Sequence, residues 1–330
     1  MIAELQNLLM QEQSLYRATI SPVIDGISRP LWSVMIPTYN CANYLRETLA
    51  SVLAQDPGAE IMQIEVIDDC STKDDPKAVV EELGQGRVQF YRQPHNVGHI
   101  RNFETCLLRS RGQLVHLLHG DDCVRDSFYS KMQEAFAKNP EIGAAFCRHI
   151  CMDEQGNWDF ISAIIEPRSC ILSNWLERIA IKQYIHTPTM VVRREVYEKL
   201  QGFDRRIKYW GEDWEMWVRI AAHYPVWFEI EPLAVYRYNS LGSLTRQSVQ
   251  TGENMQDIRT AIDICQSYLP QVKTKKLSRK AREYWALYAL GLSEQFLSSG
   301  NLSGAITQVR EALRCRMSWS VIKRLIRIII

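Results

Sequence analysis

Short apolar runs recur four times before residue 120, and this repeat limits the fold of the chain more than any other feature. They cover residues 31–37, 61–67, 88–92 and 113–118. Their length and β-branched content are typical of strands. Segments with helical spacing follow at 42–54, 76–83 and 96–110. Strands that alternate with helices predict an α/β fold with a doubly wound, mostly parallel sheet.

Polar turns follow three of these predicted strands and form a candidate ligand site. The turns contain Thr38, Tyr39 and Asn40, then Asp68 and Asp69, then His119, Gly120, Asp121 and Asp122. Ligands of open α/β sheets bind outside the carboxyl ends of the strands. We therefore expect the three groups, which are far apart in the chain, to lie beside one crevice.

Asp121 and Asp122 allow two interpretations. Adjacent carboxylates after a strand suit a Mg²⁺ or Mn²⁺ ion that holds a diphosphate, because these ions prefer hard oxygen ligands. An aspartate here can also cap a helix, and a helix is predicted from about Ser127. The chain has no P-loop, G-x-G-x-x-G, G-x-S-x-G or H-E-x-x-H motif, which excludes the common kinase, dehydrogenase, esterase and zinc-protease classes.

Glu212 and Asp213 precede a predicted amphipathic helix over 214–223. One carboxylate can cap this helix, and a carboxylate near a sugar site is also a suitable general base for an attacking hydroxyl. The tryptophans around the pair are Trp210, Trp214 and Trp217. Aromatic side chains at helical spacing fit either a protein core or stacking on sugar faces.

The segment 96–102 opens another predicted helix with a glycine and several polar side chains. Its backbone N–H groups and the Arg101 guanidinium suit a phosphate, and Asn96 stands at the start of the segment. A plain loop with a helix cap explains the same residues. Both interpretations stay open from the sequence.

Six segments, taken in order, resemble the motif series of the family 2 glycosyltransferases. They are 33–40, 65–72, 96–98, 117–122, 201–204 and 211–213, and the match spans about residues 31–245. The resemblance implies a bacterial-type enzyme with a GT-A fold, a nucleoside-diphosphate sugar donor, a divalent metal and inversion at the anomeric carbon by direct displacement. It further implies hexosyl transfer from a UDP-sugar to a hydroxyl of a glycan, lipid-linked or protein acceptor, in polysaccharide or glycan synthesis.

The resemblance also implies roles for single residues. Asp213 matches the catalytic base, with Glu212 beside it near the acceptor. Asp121 matches the metal-binding aspartate, and Asp122 completes the carboxylate pair for Mn²⁺ or Mg²⁺. The candidate contacts to the nucleotide sugar are Pro37, Thr38, Tyr39, Asn40, Asp68, Asp69, Asn96, Arg101, His119 and Gly120.

His119 stands where the D-x-D element of the family usually has its first aspartate. Histidine can approach a metal or bind a ribose, but it is not an anionic ligand. This departure favours an alternative, a non-catalytic nucleotide-sugar-binding or scaffold protein, whereas Asp213 favours an enzyme. A nucleotidyltransferase would need a glycine-rich basic loop, which 37–40 is not. Arg237 and Ser243 lie in a segment that resembles the closing element of the family, and both are candidates for the diphosphate.

Charge and cysteine usage limit the partners and the compartment. The net charge is +1, but residues 271–330 carry twelve Lys or Arg against three Asp or Glu, so the larger part of the chain is acidic. An acidic body argues against a nucleic-acid partner. The nine cysteines are scattered, and Cys147 and Cys151 have no second pair at zinc-site spacing. We therefore expect reduced thiols in a cytoplasmic protein.

The sequence divides into an N-terminal helical extension over 1–30, a GT-A glycosyltransferase domain over 31–245 and a C-terminal helical region over 246–330. No window holds the ~18 apolar residues of a membrane span, and the first twenty residues lack the features of a signal peptide.

The end of the chain forms a predicted basic amphipathic helix. Counted from Trp319, Lys323, Arg324 and Arg327 share one arc of about 100° at the helical angle per residue. Such a helix suits peripheral contact with an anionic inner-membrane surface, while an apolar face docked on the protein itself is the alternative.

Overall fold

The computed structural model describes residues 15–24, 26, 29–238 and 244–329. Its strands are β1 (Trp32–Thr38), β2 (Met62–Asp68), β3 (Gln89–Arg92), β4 (Leu114–Leu117), β5 (Cys123–Val124), β6 (Ala144–Met152), β7 (Trp158–Ile161), β8 (Cys170–Ile171), β9 (Met190–Arg193) and β10 (Val226–Arg237). Its α-helices are α1 (Ala42–Leu53), α2 (Pro76–Gly84), α3 (His99–Arg109), α4 (Phe128–Lys138), α5 (Trp175–Ile179), α6 (Arg194–Leu200), α7 (Glu212–His223), α8 (Leu244–Thr251), α9 (Glu253–Cys265), α10 (Gln271–Ser298), α11 (Leu302–Cys315) and α12 (Trp319–Ile329). Most of the predicted N-terminal helix falls on residues 1–14, outside the described residues, and no helix is present in 15–24.

The described strands form one sheet in the order β3-β2-β1-β4-β9-β6-β10-β5, with β7 beside β6 and β8 beside β10. Parallel pairs join β3, β2, β1 and β4, and another joins β6 and β10. Strand β9 runs antiparallel between β4 and β6. The carboxyl ends of β1 to β4, β6 and β10 therefore meet along one edge, called the site edge below. The predicted α/β fold with a mostly parallel sheet is confirmed.

Strands β1 and β2 are buried at all seven of their positions. Central strands of a parallel sheet are buried in this way because helices cover both faces. Val34 and Ile36 of β1 belong to the same hydrophobic cluster as Leu45 and Leu49 of α1. The four-residue spacing of the two leucines places them on one helix face. This core fixes the loop after β1, where candidate ligand residues lie.

Strand β10 was not predicted, although it is the longest strand described. Its pairing with β6 shifts register between Glu229 and Pro232 and again between Pro232 and Ala234. A proline and bulges interrupt the alternation on which strand prediction depends. The sequence therefore hides a strand that contributes Tyr236 and Arg237 to the site edge.

The chain packs as two compact units. The first consists of Met1–Leu172, Ile185–Phe203 and Tyr224–Tyr238, and it holds the sheet; the second consists of Ser173–Tyr184, Asp204–His223 and Asn239–Ile330. Two segments inside the predicted 31–245 region thus group with the C-terminal helices. The predicted domain boundaries at residues 30 and 245 stay a prediction.

The second unit is helical wherever its C-terminal part is described, as the sequence predicts. Helices α10 and α11 form a hairpin whose turn contains Gly300 at a φ of +76°, a conformation that glycine adopts without strain. Asn301 caps α11 by accepting a hydrogen bond from the Gly304 N–H. None of the described helices is long and apolar enough to cross a membrane.

Candidate active site

Asn40 ties together the loops that follow β1 and β2. Its backbone is left-handed, with a φ of +50°, which asparagine tolerates better than most residues. The Asn40 Oδ1 accepts hydrogen bonds from the N–H groups of Thr72 and Lys73 at 2.9 and 3.0 Å, and its own N–H donates to Ser71 Oγ at 2.8 Å. The adjacent Tyr39 is 47% exposed. Asn40 is therefore a support for the loop, and Tyr39 is open to a ligand.

Asp68 and Asp69 are both buried, and both already bind protein groups. Asp68 accepts hydrogen bonds from Ser71 Oγ at 2.5 Å and Arg92 Nε at 2.6 Å. Asp69 accepts bonds from two consecutive backbone N–H groups just before α3, at 2.7 and 3.0 Å. Burial raises the pKa of Asp69, and these N–H bonds oppose the shift. The two carboxylates order the loops after β2 and β3, and their contact with a nucleotide base stays a prediction.

Asn96 and Arg101 lie on the exposed side of this loop and of α3. The Asn96 Oδ1 accepts a hydrogen bond from the Gly98 N–H at 3.2 Å, which agrees with the interpretation of a closed loop before a helix. Arg101 is exposed on the first turn of α3. A role for either residue in holding phosphate stays a prediction.

The turn after β4 packs directly against the end of β1 through Gly120. The Gly120 N–H donates to the Pro37 carbonyl at 3.0 Å. A β-carbon at this position would lie 2.9 Å from Thr38 Oγ1 and 3.3 Å from Cys41 Sγ. The turn therefore requires glycine, and Pro37 and Thr38 form its contact surface.

His119, Asp121 and Asp122 form a group that can hold a metal ion, with one ligand atom from each lying within 4.8 Å of the others. The His119 ring stacks on Phe103 with centroids 5.1 Å apart, and its Nδ1 lies 3.7 Å from Asp122 Oδ2. The Asp122 Oδ2 is buried and accepts no hydrogen bond. A buried carboxylate oxygen of this kind is costly unless a cation or donor satisfies it. The three residues therefore fit a divalent ion.

The alternative role of Asp121 and Asp122 as a helix cap is wrong. Ser127 is the residue before α4, and Asp122 Oδ1 instead accepts a hydrogen bond from the Arg237 N–H at 2.8 Å. Burial raises the pKa of Asp121, and burial together with the neighbouring Asp121 raises the pKa of Asp122 well above the usual range. A positive charge beside these two buried carboxylates would therefore stabilise their ionised forms.

Arg237 supports the turn from inside the protein. Its guanidinium donates to the carbonyl oxygens of Asp121 at 3.1 Å and Asp153 at 3.0 Å, and to Glu47 Oε2 at 2.6 Å. The same group lies over the Tyr44 ring at 4.3 Å. The prediction that Arg237 contacts a diphosphate is wrong, because the guanidinium is buried in these contacts; Ser243 lies outside the described residues. The sequence signal for this buried, supporting role is an arginine that stands within an apolar run.

Glu212 and Asp213 begin α7 in the second unit, and both are nearly buried. The Asp213 Oδ2 accepts a hydrogen bond from Gln183 Nε2 at 2.8 Å, and its Oδ1 accepts one from the Trp214 N–H at 2.7 Å. The helix N-terminus favours negative charge at both positions. Asp213 is thus an oriented carboxylate, and its catalytic role stays a prediction.

Asp257 of α9 orders the loop that leads into α7, and no motif indicated it. Its Oδ2 accepts hydrogen bonds from the N–H groups of Lys208, Tyr209 and Trp210 at 3.0, 2.6 and 3.2 Å. Burial raises the pKa of Asp257, and these three bonds oppose the shift. The only sequence signal is an acidic residue on a helix that is otherwise unremarkable in pattern.

Two of the three tryptophans near Asp213 belong to the core of the second unit, and Trp210 is partly exposed. Trp214 and Trp217 are fully buried, and the Trp214 Nε1 donates to the Ile179 carbonyl at 2.7 Å. Trp210 contacts the Trp285 ring edge-on at 6.5 Å. Stacking of Trp214 and Trp217 on sugars is therefore wrong, because their rings have no free face.

Comparison with known proteins identifies the family. The sequence model of glycosyl transferase family 2 matches residues 33–201, which are 169 of the 330 residues. The chain belongs to this family. An uncharacterised protein of Mycobacterium tuberculosis is 29% identical over 231 residues, covering 66% of this glycosyltransferase and 70% of that protein. In other relatives the matched region covers between 16% and 72% of the relative, and several of these proteins are named uncharacterised glycosyltransferases.

Solved structures share the fold of this glycosyltransferase. Residues 1–349 of S. aureus TarS, in complex with UDP-GlcNAc, give a TM-score of 0.61 at 14% identity, over 86% of this chain and 91% of that one. A mannosyltransferase from Pyrobaculum calidifontis, in complex with GDP-Man and Mn²⁺, gives a TM-score of 0.50 at 17% identity, over 97% and 94% of the two chains. The predicted GT-A fold is confirmed.

Proposed function

We propose that this glycosyltransferase moves a hexosyl group from a UDP-sugar to an acceptor hydroxyl with inversion, in polysaccharide or glycan synthesis. The carrying observation is the group of His119, Asp121 and Asp122 at the site edge, where Asp122 Oδ2 is buried without a hydrogen bond. That group suits Mn²⁺ or Mg²⁺, the ions that bind carboxylates and diphosphates together. The Mn²⁺ and nucleotide sugar bound by the Pyrobaculum relative support this choice.

Donor binding is proposed for the loops at the site edge. Tyr39 is exposed there, and Asn40 holds its loop against the loop after β2. The family resemblance assigns the base to Asp68 or Asp69 and the pyrophosphate region to the turn after β4. A nucleotide laid along these loops would place its diphosphate at Asp121.

The chemical step is proposed to need one base. A bound divalent ion would neutralise the charge that develops on the departing diphosphate. Asp213 would take the proton of the acceptor hydroxyl, because Gln183 and the Trp214 N–H hold its carboxylate in one orientation. Glu212 would stand beside it near the acceptor, which is a glycan, a lipid-linked or a protein hydroxyl.

The test separates binding from transfer. Calorimetry with UDP and GDP, with and without Mn²⁺, is followed by a screen for hydrolysis of the matching nucleotide sugars. We expect metal-dependent binding of one nucleotide and slow hydrolysis of its sugar conjugate. The variant Asp213→Asn should retain nucleotide affinity and lose hydrolysis by at least ~100-fold, the usual scale for a general base. Asp263→Asn, an exposed aspartate of the same unit, is the matched control.

His119 favours a second candidate, a non-catalytic nucleotide-sugar-binding protein, because imidazole supplies no negative charge to a metal. Tight nucleotide binding without hydrolysis or transfer of any donor would support this candidate. No binding of any nucleotide would contradict both.

We also propose a cytoplasmic enzyme that contacts the inner membrane peripherally through α12. Trp319 is 76% exposed, and Lys323 and Arg327 are exposed on the same helix. The predicted basic arc carries less free charge than expected, since the half-exposed Arg324 is ion-paired with Glu294 at 2.7 Å. Flotation with anionic vesicles should fall for Trp319→Ala and not for Val272→Ala, a change at an apolar side chain that is 92% exposed in α10. Equal flotation of the two variants would contradict membrane contact through α12.

A further inference from the structure

Three rings form a cluster at the site edge that the proposed metal site does not use. The His186 ring lies parallel to the Tyr236 ring, with centroids 4.1 Å apart and planes inclined by 8°. The His149 ring meets His186 edge-on at 4.7 Å. His149 is almost fully buried, whereas His186 and Tyr236 are partly exposed. The stacked pair therefore has surface available to a ligand.

The sheet places this cluster beside the metal-binding turn. His149 and Tyr236 lie near the carboxyl ends of β6 and β10, and His186 lies just before β9. Strand β9 runs between β4 and β6 and opposite in direction to both, so its start meets their carboxyl ends. Burial lowers the pKa of His186, and the neighbouring rings of His149 and then His119 make smaller contributions to the shift. The cluster thus continues the site edge from the turn after β4.

The chemistry of the cluster suits neutral hydroxyl groups better than phosphate. Burial lowers the pKa of His149 to about 4, with the positive charge of Arg148 adding to the shift. Burial likewise lowers the pKa of His186 to about 3. Neutral imidazoles carry one donor and one acceptor nitrogen each, which matches a sugar hydroxyl. The flat face of an aromatic pair also matches the apolar face of a sugar ring.

The order of the strands fits the order of parts in a nucleoside-diphosphate sugar. The base is proposed for the ends of β1 and β2 and the diphosphate for the turn after β4. Neighbouring strands are ~4.8 Å apart, so β6 lies on the order of 10 Å beyond β4 across β9. The sugar follows the diphosphate, and continuation in the same direction brings it to the ring cluster.

We propose that His186 and Tyr236, with His149 behind them, form the platform on which the sugar of the donor rests and is selected. This inference rests on the proposed function. The platform distinguishes donors by their sugar and is indifferent to the nucleotide. His149, His186 and Tyr236 are specificity residues and not catalytic ones.

The test compares a sugar-dependent with a sugar-independent quantity in the full chain. The kcat/KM for hydrolysis of UDP-glucose, UDP-galactose, UDP-N-acetylglucosamine and GDP-mannose is measured with Mn²⁺, together with the inhibition constant of the free nucleoside diphosphate. We expect His186→Ala to lower kcat/KM for the preferred donor by about tenfold and to flatten the preference among sugars. The inhibition constant of the nucleotide should change less than about twofold. His186→Gln, which retains hydrogen bonds without the stacked ring, should fall between these values.

His116→Phe is the matched control. His116 is a buried histidine of the same sheet, bonded to the Pro188 carbonyl at 2.9 Å. Its replacement should lower thermal stability and leave the sugar preference unchanged. Equal weakening of nucleotide and donor in His186→Ala, or an unchanged sugar preference, would overturn the platform while leaving the proposed function in place. Failure of the wild-type protein to bind any nucleotide would remove the proposed function itself.

Discussion

The variant Asp122→Asn should stabilise the metal-free protein while abolishing its response to metal. Asp122 is 1% exposed, and its Oδ2 has no hydrogen-bond donor. Removal of a buried, unsatisfied charge is worth about 1–3 kcal/mol. The amide is isosteric and keeps the Oδ1 acceptor for the Arg237 N–H. Each kcal/mol raises Tm by ~2–4 °C in a domain of this size, which differential scanning fluorimetry resolves.

Added metal should reverse the order of stability of the wild-type protein and Asp122→Asn. An ion present at a hundredfold excess over its Kd stabilises the folded state by about 2.7 kcal/mol, and only the wild-type protein should gain this. The matched substitution Asp56→Asn should destabilise the metal-free protein, because Arg87 donates to Asp56 at 2.6 and 2.7 Å and this ion pair would be lost. Loss of stability in metal-free Asp122→Asn, or a Tm gain with Mn²⁺ equal to that of the wild type, would refute the argument.

The stabilisation from Asp122→Asn should grow with pH. Burial raises the folded-state pKa of Asp122 above its unfolded value. A group of this kind costs nothing below the unfolded pKa, where it is protonated in both states, and costs progressively more as pH rises toward the folded pKa. The Tm difference between variant and wild type should therefore be larger at neutral pH than in mild acid, and a constant difference would contradict the assignment.

Three further changes test other contacts. Gly120→Ala should destabilise the first unit by about 1–3 kcal/mol in urea unfolding, because the added methyl would meet Thr38 Oγ1 at 2.9 Å. Arg237→Met should lower the affinity for Mn²⁺ and nucleotide together, as measured by calorimetry, because the turn carbonyl of Asp121 loses its donor. Asp257→Ala should lower kcat with little change in nucleotide affinity, because three N–H groups before α7 lose their acceptor.

The strands and turns of the first half were predictable because their signals are local. The predicted runs 31–37 and 61–67 differ from β1 and β2 by one residue at each end. Each run is short and apolar and ends at a polar turn. This pattern is sufficient to recognise a parallel strand that is buried on both faces. The same pattern, an apolar run followed by a polar turn, located Asp121 and Asp122. These two residues are adjacent in the chain, so their proximity in the site needs no knowledge of the fold.

The supports of the site were not predictable because they join distant parts of the chain. Arg237 lies 116 residues from the carbonyl it binds in the turn, and Asp257 lies 47 residues from the nearest N–H it accepts. The fold alone decides whether such a charged group faces a carbonyl, a ligand or water. The rings of His149, His186 and Tyr236 are likewise far apart in sequence, and neither histidine stands in a motif.

The register of strand β10 determines which insertions and deletions in this strand the site can tolerate. Successive side chains of a strand point to opposite faces, so Tyr236 and Arg237 serve the ring cluster and the metal-binding turn from one backbone. Their register is set by the two shifts between Glu229 and Ala234. Loss or gain of one residue there would exchange the aromatic ring and the buried guanidinium. Changes of two residues preserve the faces, so variation in this bulge should come in even steps.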